Sequence, residues 1–148
     1  PDIVTMAKGI AGGMPMGACA APAHIAKAYQ PGDHGTTFGG SCLAVAAATA
    51  TLDTLSNGFQ QHVQETGEYM RQQLAGVSKV KEVRGVGLMN AIDFDESVDA
   101  PALVQKALGK GLLLNATGAH TLRFLPPLVC EKGDIDAMVE RLNQMIEA

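Results

Sequence analysis

The chain has 148 residues, of which 47% are hydrophobic, so it can build a core of ordinary domain size. Its net charge is −4 and it contains no Trp and no basic cluster, which predicts that it does not bind nucleic acid. No stretch reads as a membrane span. Its three cysteines form no CxxC pair, which favours reduced thiols in a cytoplasmic protein over a disulfide framework or a metal site.

The first part of the chain carries too few elements to bury its own apolar faces. The pattern predicts a short buried strand, a second extended segment, a short helix and an alanine-rich helix that Ser56-Asn57-Gly58 interrupts; they cover residues 3–6, 14–21, 22–29 and about 43–55. The chain begins with a proline, not a methionine, two positions before the predicted first strand. We therefore expect it to be part of a longer polypeptide.

The second part, from about residue 59, has the pattern of an α+β layer with a core of its own. A polar helix, two strands around Gly85-Val86-Gly87, a helix closed by Gly111, two more strands and an amphipathic helix opened by Asp134 follow in order; they cover residues 59–74, 80–84, 88–94, 101–110, 112–115, 121–125 and 134–146.

Lys8 lies between the first predicted strand and a glycine cluster, in PDIVTMAKGIAGGMPMGA. Burial disfavours the charged ammonium form of a lysine, and an uncharged amine can attack an aldehyde, as Schiff-base lysines do. Taken alone, the pattern also fits a lysine that ends a strand and reaches solvent. The order of lysine and glycines does not fit a Walker phosphate loop, and Gly85-x-Gly87-x-x-Asn90 lacks the last glycine of a dinucleotide fingerprint.

Two further segments contain candidate binding residues. In GDHGTTFGG, Thr36 and Thr37 lie between glycines ahead of a helix, a combination that suits an anion and equally suits a capped turn. In TLRFLPPL, Arg123 lies inside an apolar strand and points away from the side of Leu122. A rigidly held guanidinium suits a carboxylate, although an exposed polar sheet face has the same pattern. We interpret the four histidines as structural or exposed, and Cys19 and Cys42 as packing residues.

Together, the segments PDIVTMAKGIAGGMPMGA, GDHGTTFGG, VRGVGLMNAIDF and LRFLPPL resemble the C-terminal part of the class III pyridoxal-phosphate aminotransferases. The resemblance extends over essentially the whole chain, in the family's order. Within the family, GLLLNATGAHTLRFLPPL favours the branch that acts on acetylornithine and ornithine over other class III ω-aminotransferases. An alternative from another class is a folded small domain without activity that serves as an interaction module.

The resemblance implies an α/β fold, the C-terminal part of a fold-type I pyridoxal-phosphate-dependent transferase. Residues 1–58 match the tail of the large cofactor domain, and residues 59–148 match the small α+β domain. Lys8 matches the lysine that binds the cofactor covalently and moves the substrate proton. Thr37 matches the residue that binds the cofactor phosphate of the neighbouring subunit, Thr36 the adjacent residue facing the substrate, and Arg123 the arginine that holds the α-carboxylate.

The resemblance also implies a homodimer that transfers an amino group from N-acetylornithine or a similar amino acid to 2-oxoglutarate in arginine biosynthesis. Ser41-Cys42 departs from the Asn-Pro that is common in the family, so the entry to the next helix is expected to differ. The family's phosphate-binding glycine turn, ring-stacking aromatic and pyridine-nitrogen aspartate match nothing in these 148 residues. We therefore expect this chain alone to be inactive.

Overall fold

The computed structural model describes residues 1–147, which form two compact units, Pro1–Phe59 and a second unit that begins at Gln60. That these two parts belong to the large and the small domain of one enzyme stays a prediction. Each unit has its own sheet. No helix within the described residues is both long and apolar enough to cross a membrane.

The first unit consists of a two-stranded antiparallel ribbon and three helical segments. In chain order these are strand β1, a 3-10 helix, strand β2 and helices α1 and α2, with bounds Val4–Met6, Lys8–Ala11, Ala18–Ala20, Ala23–Ala26 and Cys42–Thr54. β1 pairs with β2, and the 3-10 helix contacts α2. The second strand and the first helix are shorter than the sequence predicts. Pro15, Pro22 and the glycines on either side of Pro15 leave few residues with regular backbone there.

The prediction that the first strand is buried is wrong. All three residues of β1 are exposed, since a two-stranded ribbon has no second layer over it in this unit. Alanines are the only buried apolar residues of the first unit, and they belong to the 3-10 helix and α2: Ala11, Ala44 and Ala48. Cys19 and Cys42 are exposed as well, so their predicted packing role is also wrong.

The chain leaves helical geometry where the sequence predicts a break. An irregular segment, Leu55–Phe59, follows α2, and within it Gly58 has a φ of 81°. Such a left-handed backbone is unstrained for glycine, so Asn57-Gly58 ends one helix and lets the next one start at Gln60.

The second unit is a four-stranded antiparallel sheet with three helices. The strands lie in the spatial order β3-β4-β6-β5. Their bounds are Val80–Val86 for β3, Met89–Phe94 for β4, Asn115–Ala116 for β5 and Thr121–Phe124 for β6. The helices are α3 (Gln60–Ala75), α4 (Ala100–Gly109) and α5 (Lys132–Ile146). The predicted α+β arrangement is therefore present.

The helices of the second unit share one core with one face of its sheet. Ile92 and Phe94 of β4 and Leu122 and Phe124 of β6 are buried in the same cluster as Leu74 of α3. Further members come from all three helices and the adjoining loops: Met70, Val77, Leu88, Val98, Ala100, Leu103, Ala107, Cys130, Ile135, Leu142 and Met145. Residues at alternate positions of β4 and β6 therefore lie on the opposite face of the sheet.

Several predicted bounds in this unit are wrong. β3 does not end before Gly85 but continues to Val86, because Gly85 and Val86 still pair with β4. β5 contains only Asn115–Ala116, because the residues before it form no ladder with β6. Helix α5 begins at Lys132, not at Asp134, because Glu131 and Asp134 form a capping box in which each side chain accepts a hydrogen bond from the backbone of the other. Gly111, with a φ of 69°, follows the end of α4 as predicted.

Candidate active site

Lys8 begins the 3-10 helix that follows β1. Its φ of 57° is left-handed, a conformation that costs a non-glycine residue roughly 1–2 kcal/mol. The buried Ala11 at the other end of this helix, together with the contact to α2, holds the backbone in place. The side chain is exposed, contrary to the predicted partial burial, because β1 itself is uncovered. It has no hydrogen-bond or ion-pair partner among residues 1–147.

The glycines around Lys8 leave space beside it. A Cβ atom added at Gly9 or Gly13 meets no other atom within 4 Å, and Gly12 ends the 3-10 helix with its N–H donating to Gly9. A left-handed lysine is not by itself a sign of function, since Lys79 has a φ of 64° in the turn before β3. There, however, the carbonyl of Lys79 accepts a hydrogen bond from the amide of Asp95 at 2.9 Å, which gives that turn a structural reason.

Thr36 and Thr37 lie in the turn that precedes α2. The amide of Gly39 donates to Oγ1 of Thr36 at 3.1 Å, and a Cβ at Gly39 would lie only 2.1 Å from Cγ2 of Thr36, so a side chain there would have to displace that methyl group. Thr37 is exposed and its hydroxyl has no partner among the described residues. Thr36 lines a cavity of about 330 Å³ together with His34 and Ser41, whereas neither Lys8 nor Thr37 is among the residues that line it.

Arg123 lies on β6 and points to the face of the sheet that no helix of this unit covers, as strand alternation predicts. On that face its neighbours across the ladder are Ala91 of β4 and Asn115 of β5. Neither neighbour carries a charge. The guanidinium of Arg123 has no hydrogen-bond or ion-pair partner in the part of the chain that the structure describes.

A second arginine on the same face, Arg84 of β3, is neutralised. Arg84 pairs with Ala91 across the β3–β4 ladder, while Arg123 pairs with the same Ala91 across the β4–β6 ladder. The guanidinium of Arg84 donates two hydrogen bonds to the carboxylate of Asp93. The hydrogen bond from Arg84, followed by one from Thr121 at 2.6 Å, lowers the pKa of Asp93, and the same contact raises the pKa of Arg84. Of these two arginines, Arg123 is therefore the one available to an external anion.

A cavity of about 460 Å³ lies beside Arg123 at the β5 edge of the sheet. Its lining is largely apolar and comes from Met70, Leu112–Leu114, Phe124–Pro127, Cys130, Ile135 and Met138. Arg123, Asn115 and Asp134 are the polar groups in that lining, and the Asp134 carboxylate accepts the Glu131 amide at 2.9 Å. A carboxylate with an apolar remainder is the kind of small molecule that such a site suits.

The structure thus places the predicted residues in two separate groups. Lys8, Thr36 and Thr37 belong to the first unit and Arg123 to the second. The residues fit pyridoxal phosphate, since an aldehyde needs an amine, which Lys8 offers unpaired, and a phosphate needs donors such as the free hydroxyl of Thr37. By the resemblance, the phosphate at Thr37 belongs to the cofactor of the neighbouring subunit. The assignment of these roles to Lys8, Thr36, Thr37 and Arg123 remains a prediction.

The sequence interpretation missed the polar residues that hold the β3–β4 turn against α3. Asn90 is buried, and its side chain donates to the carbonyl of Gly87 at 3.0 Å and accepts from Arg71 at 3.1 Å. Gly67 packs directly on this turn, because a Cβ there lies 1.9 Å from the carbonyl oxygen of Gly87. The sequence signal for this contact was the pair of glycines Gly85 and Gly87. The residues that contact the turn, Gly67 and Arg71, lie on α3 and could not be identified from that pair.

The remaining polar groups that the sequence singled out are structural. A ring nitrogen of His120 lies 2.7 Å from the carbonyl oxygen of Val98, and one of His62 lies 3.1 Å from that of Cys130. All three cysteines are free thiols, and burial raises the pKa of Cys130. The predicted structural role of these two histidines is therefore confirmed.

Comparison with known proteins gives one consistent family. The model of the class-III aminotransferases matches residues 1–146. Acetylornithine aminotransferases from Corynebacterium efficiens and Aquifex aeolicus are 44% and 40% identical to this chain, and each alignment covers 99% of it. The chain spans 36% and 38% of the length of these two relatives.

Solved structures agree with the sequence relatives. The acetylornithine aminotransferase of Elizabethkingia anophelis superposes with a TM-score of 0.86 at 32% identity, over 99% of this chain and 39% of that one. An ornithine aminotransferase from Toxoplasma gondii gives 0.85 at 31% identity, over 98% and 36%. These similarities confirm the predicted fold class. Over nearly its whole length, then, this chain belongs to the class-III aminotransferases, a family of pyridoxal-phosphate-dependent enzymes.

Proposed function

We propose that this chain supplies the cofactor lysine and the carboxylate-binding arginine of an aminotransferase that moves an amino group between N-acetylornithine, or an ornithine-like donor, and 2-oxoglutarate. The relatives support this choice of donor, since several are named acetylornithine aminotransferase at 40% identity or more. We place the reaction in arginine biosynthesis in the cytoplasm, and the enzyme as a homodimer.

The observation that carries the proposal is the state of Arg123. Of two arginines on one open sheet face, Arg84 is neutralised by Asp93, while Arg123 has neutral neighbours and no partner among residues 1–147. A guanidinium fixed on a strand binds a carboxylate with two parallel hydrogen bonds, which orients the bound molecule as well as attracting it. Both the amino donor and 2-oxoglutarate carry such a carboxylate.

The proposed chemistry divides the work between the two units. Pyridoxal phosphate, when bound, supplies an aldehyde and a ring that accepts electrons from the substrate. The amine of Lys8 would hold that aldehyde covalently in the resting enzyme and, when not bound to it, would take the proton from Cα of the donor. The Thr37 hydroxyl would donate to the cofactor phosphate of the neighbouring subunit, Thr36 would face the substrate, and Arg123 would hold its α-carboxylate.

The first unit supports the proposed place of this chain in a larger cofactor domain. Its surface carries nine large exposed apolar residues, among them Phe38 at 85% and Leu43 at 73% exposed. Large apolar patches on a protein surface commonly mark a region that other protein covers. We propose that residues 1–58 pack in the large domain and residues 59–148 form the small one, and that the chain alone does not transaminate.

The test is a chimera in which this chain replaces the matching part of the Corynebacterium efficiens enzyme, assayed with acetylornithine and 2-oxoglutarate beside the chain alone. The Arg123→Lys variant keeps the charge and loses the paired geometry, so KM for both substrates is expected to rise by about 30-fold or more. The cofactor absorbance of the chimera should stay unchanged. Arg84→Lys is the matched control on the same face and should leave both KM values within about twofold.

Lys8 is tested on the same chimera. Borohydride reduction should attach the cofactor to the peptide that contains Lys8, and Lys8→Ala should abolish turnover, whereas Lys27→Ala should not. Labelling of Lys27 in place of Lys8 contradicts the lysine assignment. Loss of the cofactor on Arg123→Lys, with unchanged substrate constants, contradicts the arginine assignment. Turnover of this chain alone, near that of the chimera, contradicts the proposed division of the site.

A further inference from the structure

Asn115 is the direct cross-strand neighbour of Arg123. The two residues are register partners in the β5–β6 pair, so their side chains point to the same face of the sheet with Cβ atoms roughly 5 Å apart. Both are exposed and both line the cavity of about 460 Å³ at this edge. A molecule held by the guanidinium of Arg123 on its β5 side therefore lies within reach of the Asn115 carboxamide.

Nothing in the fold explains an asparagine at this position. Asparagine is depleted in strands, and the side chain of Asn115 has no hydrogen-bond partner within residues 1–147. Asn90 on β4 is the contrast, because its carboxamide is buried and donates to Gly87 while it accepts from Arg71. The Asn90 side chain is held by the fold, and that of Asn115 is free to act on a ligand.

The groups around Arg123 in the described residues leave room for an external anion beside Asn115. On the β4 side Arg123 faces Ala91, and beyond Ala91 the arginine of β3 is neutralised by Asp93. Among the described residues, the carboxylate that lines the cavity is that of Asp134, and it accepts a hydrogen bond from the Glu131 amide. The amide N–H groups of Asn115 can donate to an anion at Arg123 without competing for its charge.

We propose that Asn115 is a substrate-binding residue that donates a hydrogen bond to the carboxylate held by Arg123. This inference rests on the proposed function and deepens it. Arg123 supplies the charge and the paired geometry, while Asn115 binds the carboxylate oxygen nearer to β5 and so fixes the rotation of the carboxylate about the guanidinium. An aspartate at the same position pairs with Arg123 and excludes the substrate.

The first experiment uses the chimera described above, with the Asn115→Ala and Asn115→Asp variants. Loss of one hydrogen bond to a charged group is expected to raise KM for both acetylornithine and 2-oxoglutarate about tenfold, with kcat unchanged. Asn115→Asp is expected to raise KM about 100-fold, because the new carboxylate occupies Arg123. Asn143→Ala makes the same change on α5 and should leave both constants within about twofold.

A double variant tests whether the two residues act on one group. If Asn115 contacts the carboxylate that Arg123 holds, the effects of Asn115→Ala and Arg123→Lys on KM are expected not to multiply. Multiplying effects contradict the inference. An Asn115→Asp variant whose KM is no higher than that of Asn115→Ala also contradicts the inference. The added negative charge is harmful only if Asn115 lies beside the anion bound at Arg123.

The second experiment reads binding without turnover. In the ¹⁵N-labelled chain, titration with 2-oxoglutarate should shift the side-chain amide signals of Asn115 and the guanidinium signals of Arg123 with one dissociation constant. A neutral diamide of similar length should shift neither. If Arg123 responds and Asn115 does not, the inference fails while the proposed function stands. If Arg123→Lys leaves KM for both substrates unchanged in the chimera, the proposed function itself loses its carboxylate site.

Discussion

The two units of this chain bury their apolar residues to very different extents. Among the described residues, the first unit buries three alanines, whereas the second buries sixteen apolar residues in one cluster that includes Leu74, Ile92, Leu122 and Leu142. The first unit exposes Phe38 and Leu43 almost fully. Burial of apolar area is the main stabilising contribution to folding, so the second unit carries the stability of this chain and the first carries the proposed cofactor lysine.

The candidate residues of the two units are held in place by different packing. Arg123 and Asn115 sit on a sheet whose other face is packed against three helices. Lys8 sits on a short 3-10 helix that is anchored through Ala11 and its contact with α2. Local opening is easier where few apolar groups are buried, so the arginine site is expected to be more ordered than the lysine site in this chain.

The largest expected effect compares one substitution in the two units. Leu74→Ala removes a fully buried side chain from α3 and is expected to lower the free energy of unfolding by about 2–5 kcal/mol. Leu43→Ala removes an exposed side chain from α2 and is expected to change it by less than about 0.5 kcal/mol. Urea denaturation of this chain measures both. Equal losses of unfolding free energy for the two variants would contradict the difference in burial between the units, because Leu43 would then be covered in solution.

A smaller effect is expected from adding one methyl group to either of two helical glycines in the second unit. Gly67→Ala places its Cβ against the backbone carbonyl of Gly87 and is expected to cost about 1–3 kcal/mol of unfolding free energy. Gly133→Ala, in the first turn of α5, meets no atom within 4 Å and is expected to gain about 0.5–1 kcal/mol. The melting temperatures of the two variants should therefore move in opposite directions. A neutral Gly67→Ala contradicts the close contact of α3 with the β3–β4 turn.

The pH dependence of the second unit is expected to contain a contribution from Asp93. Hydrogen bonds from Arg84 and then Thr121 lower the pKa of Asp93 below its unfolded value, which is about 3.9. The contribution is therefore fully present above about pH 4 and is lost as pH falls through the lower folded pKa. Measured as unfolding free energy against pH, the wild-type advantage over Asp93→Asn should shrink below about pH 4. Thr121→Val should show a weaker change of the same sign, and a pH-independent difference contradicts the assignment.

The smallest expected effect concerns the two left-handed lysines. Lys79→Gly relieves a φ of 64° in the turn before β3 and is expected to raise the unfolding free energy of the second unit by roughly 0.5–1 kcal/mol. Lys8→Gly relieves a similar φ of 57° in the first unit, which buries few apolar residues. It is expected to leave the unfolding transition of the second unit unchanged. Guanidinium titrations of both variants measure this difference. An equal gain for Lys8→Gly shows that the two units unfold together.

Much of the candidate site could be read from the sequence because its residues break local patterns. Arg123 interrupts an apolar strand, and strand alternation correctly puts it on the face opposite Leu122. The glycines before α2 mark the turn that holds Thr36. The exposure of Lys8 and of β1 could not be read in the same way, because an apolar run looks alike whether or not another layer of protein covers it.

The order and type of the main elements and the break at Asn57-Gly58 could be predicted from local patterns, because glycine, proline and apolar periodicity act over a few residues. The family followed from the resemblance of whole segments such as GDHGTTFGG and LRFLPPL. Which charges are neutralised depends on the tertiary structure. Arg84 and Arg123 look alike in sequence, yet strand register gives Arg84 the carboxylate of Asp93 and gives Arg123 the neutral Ala91 and Asn115. The physical reason is that ion pairing depends on distances between strands, and the pairing of β4 with β6 joins residues about thirty positions apart in the chain.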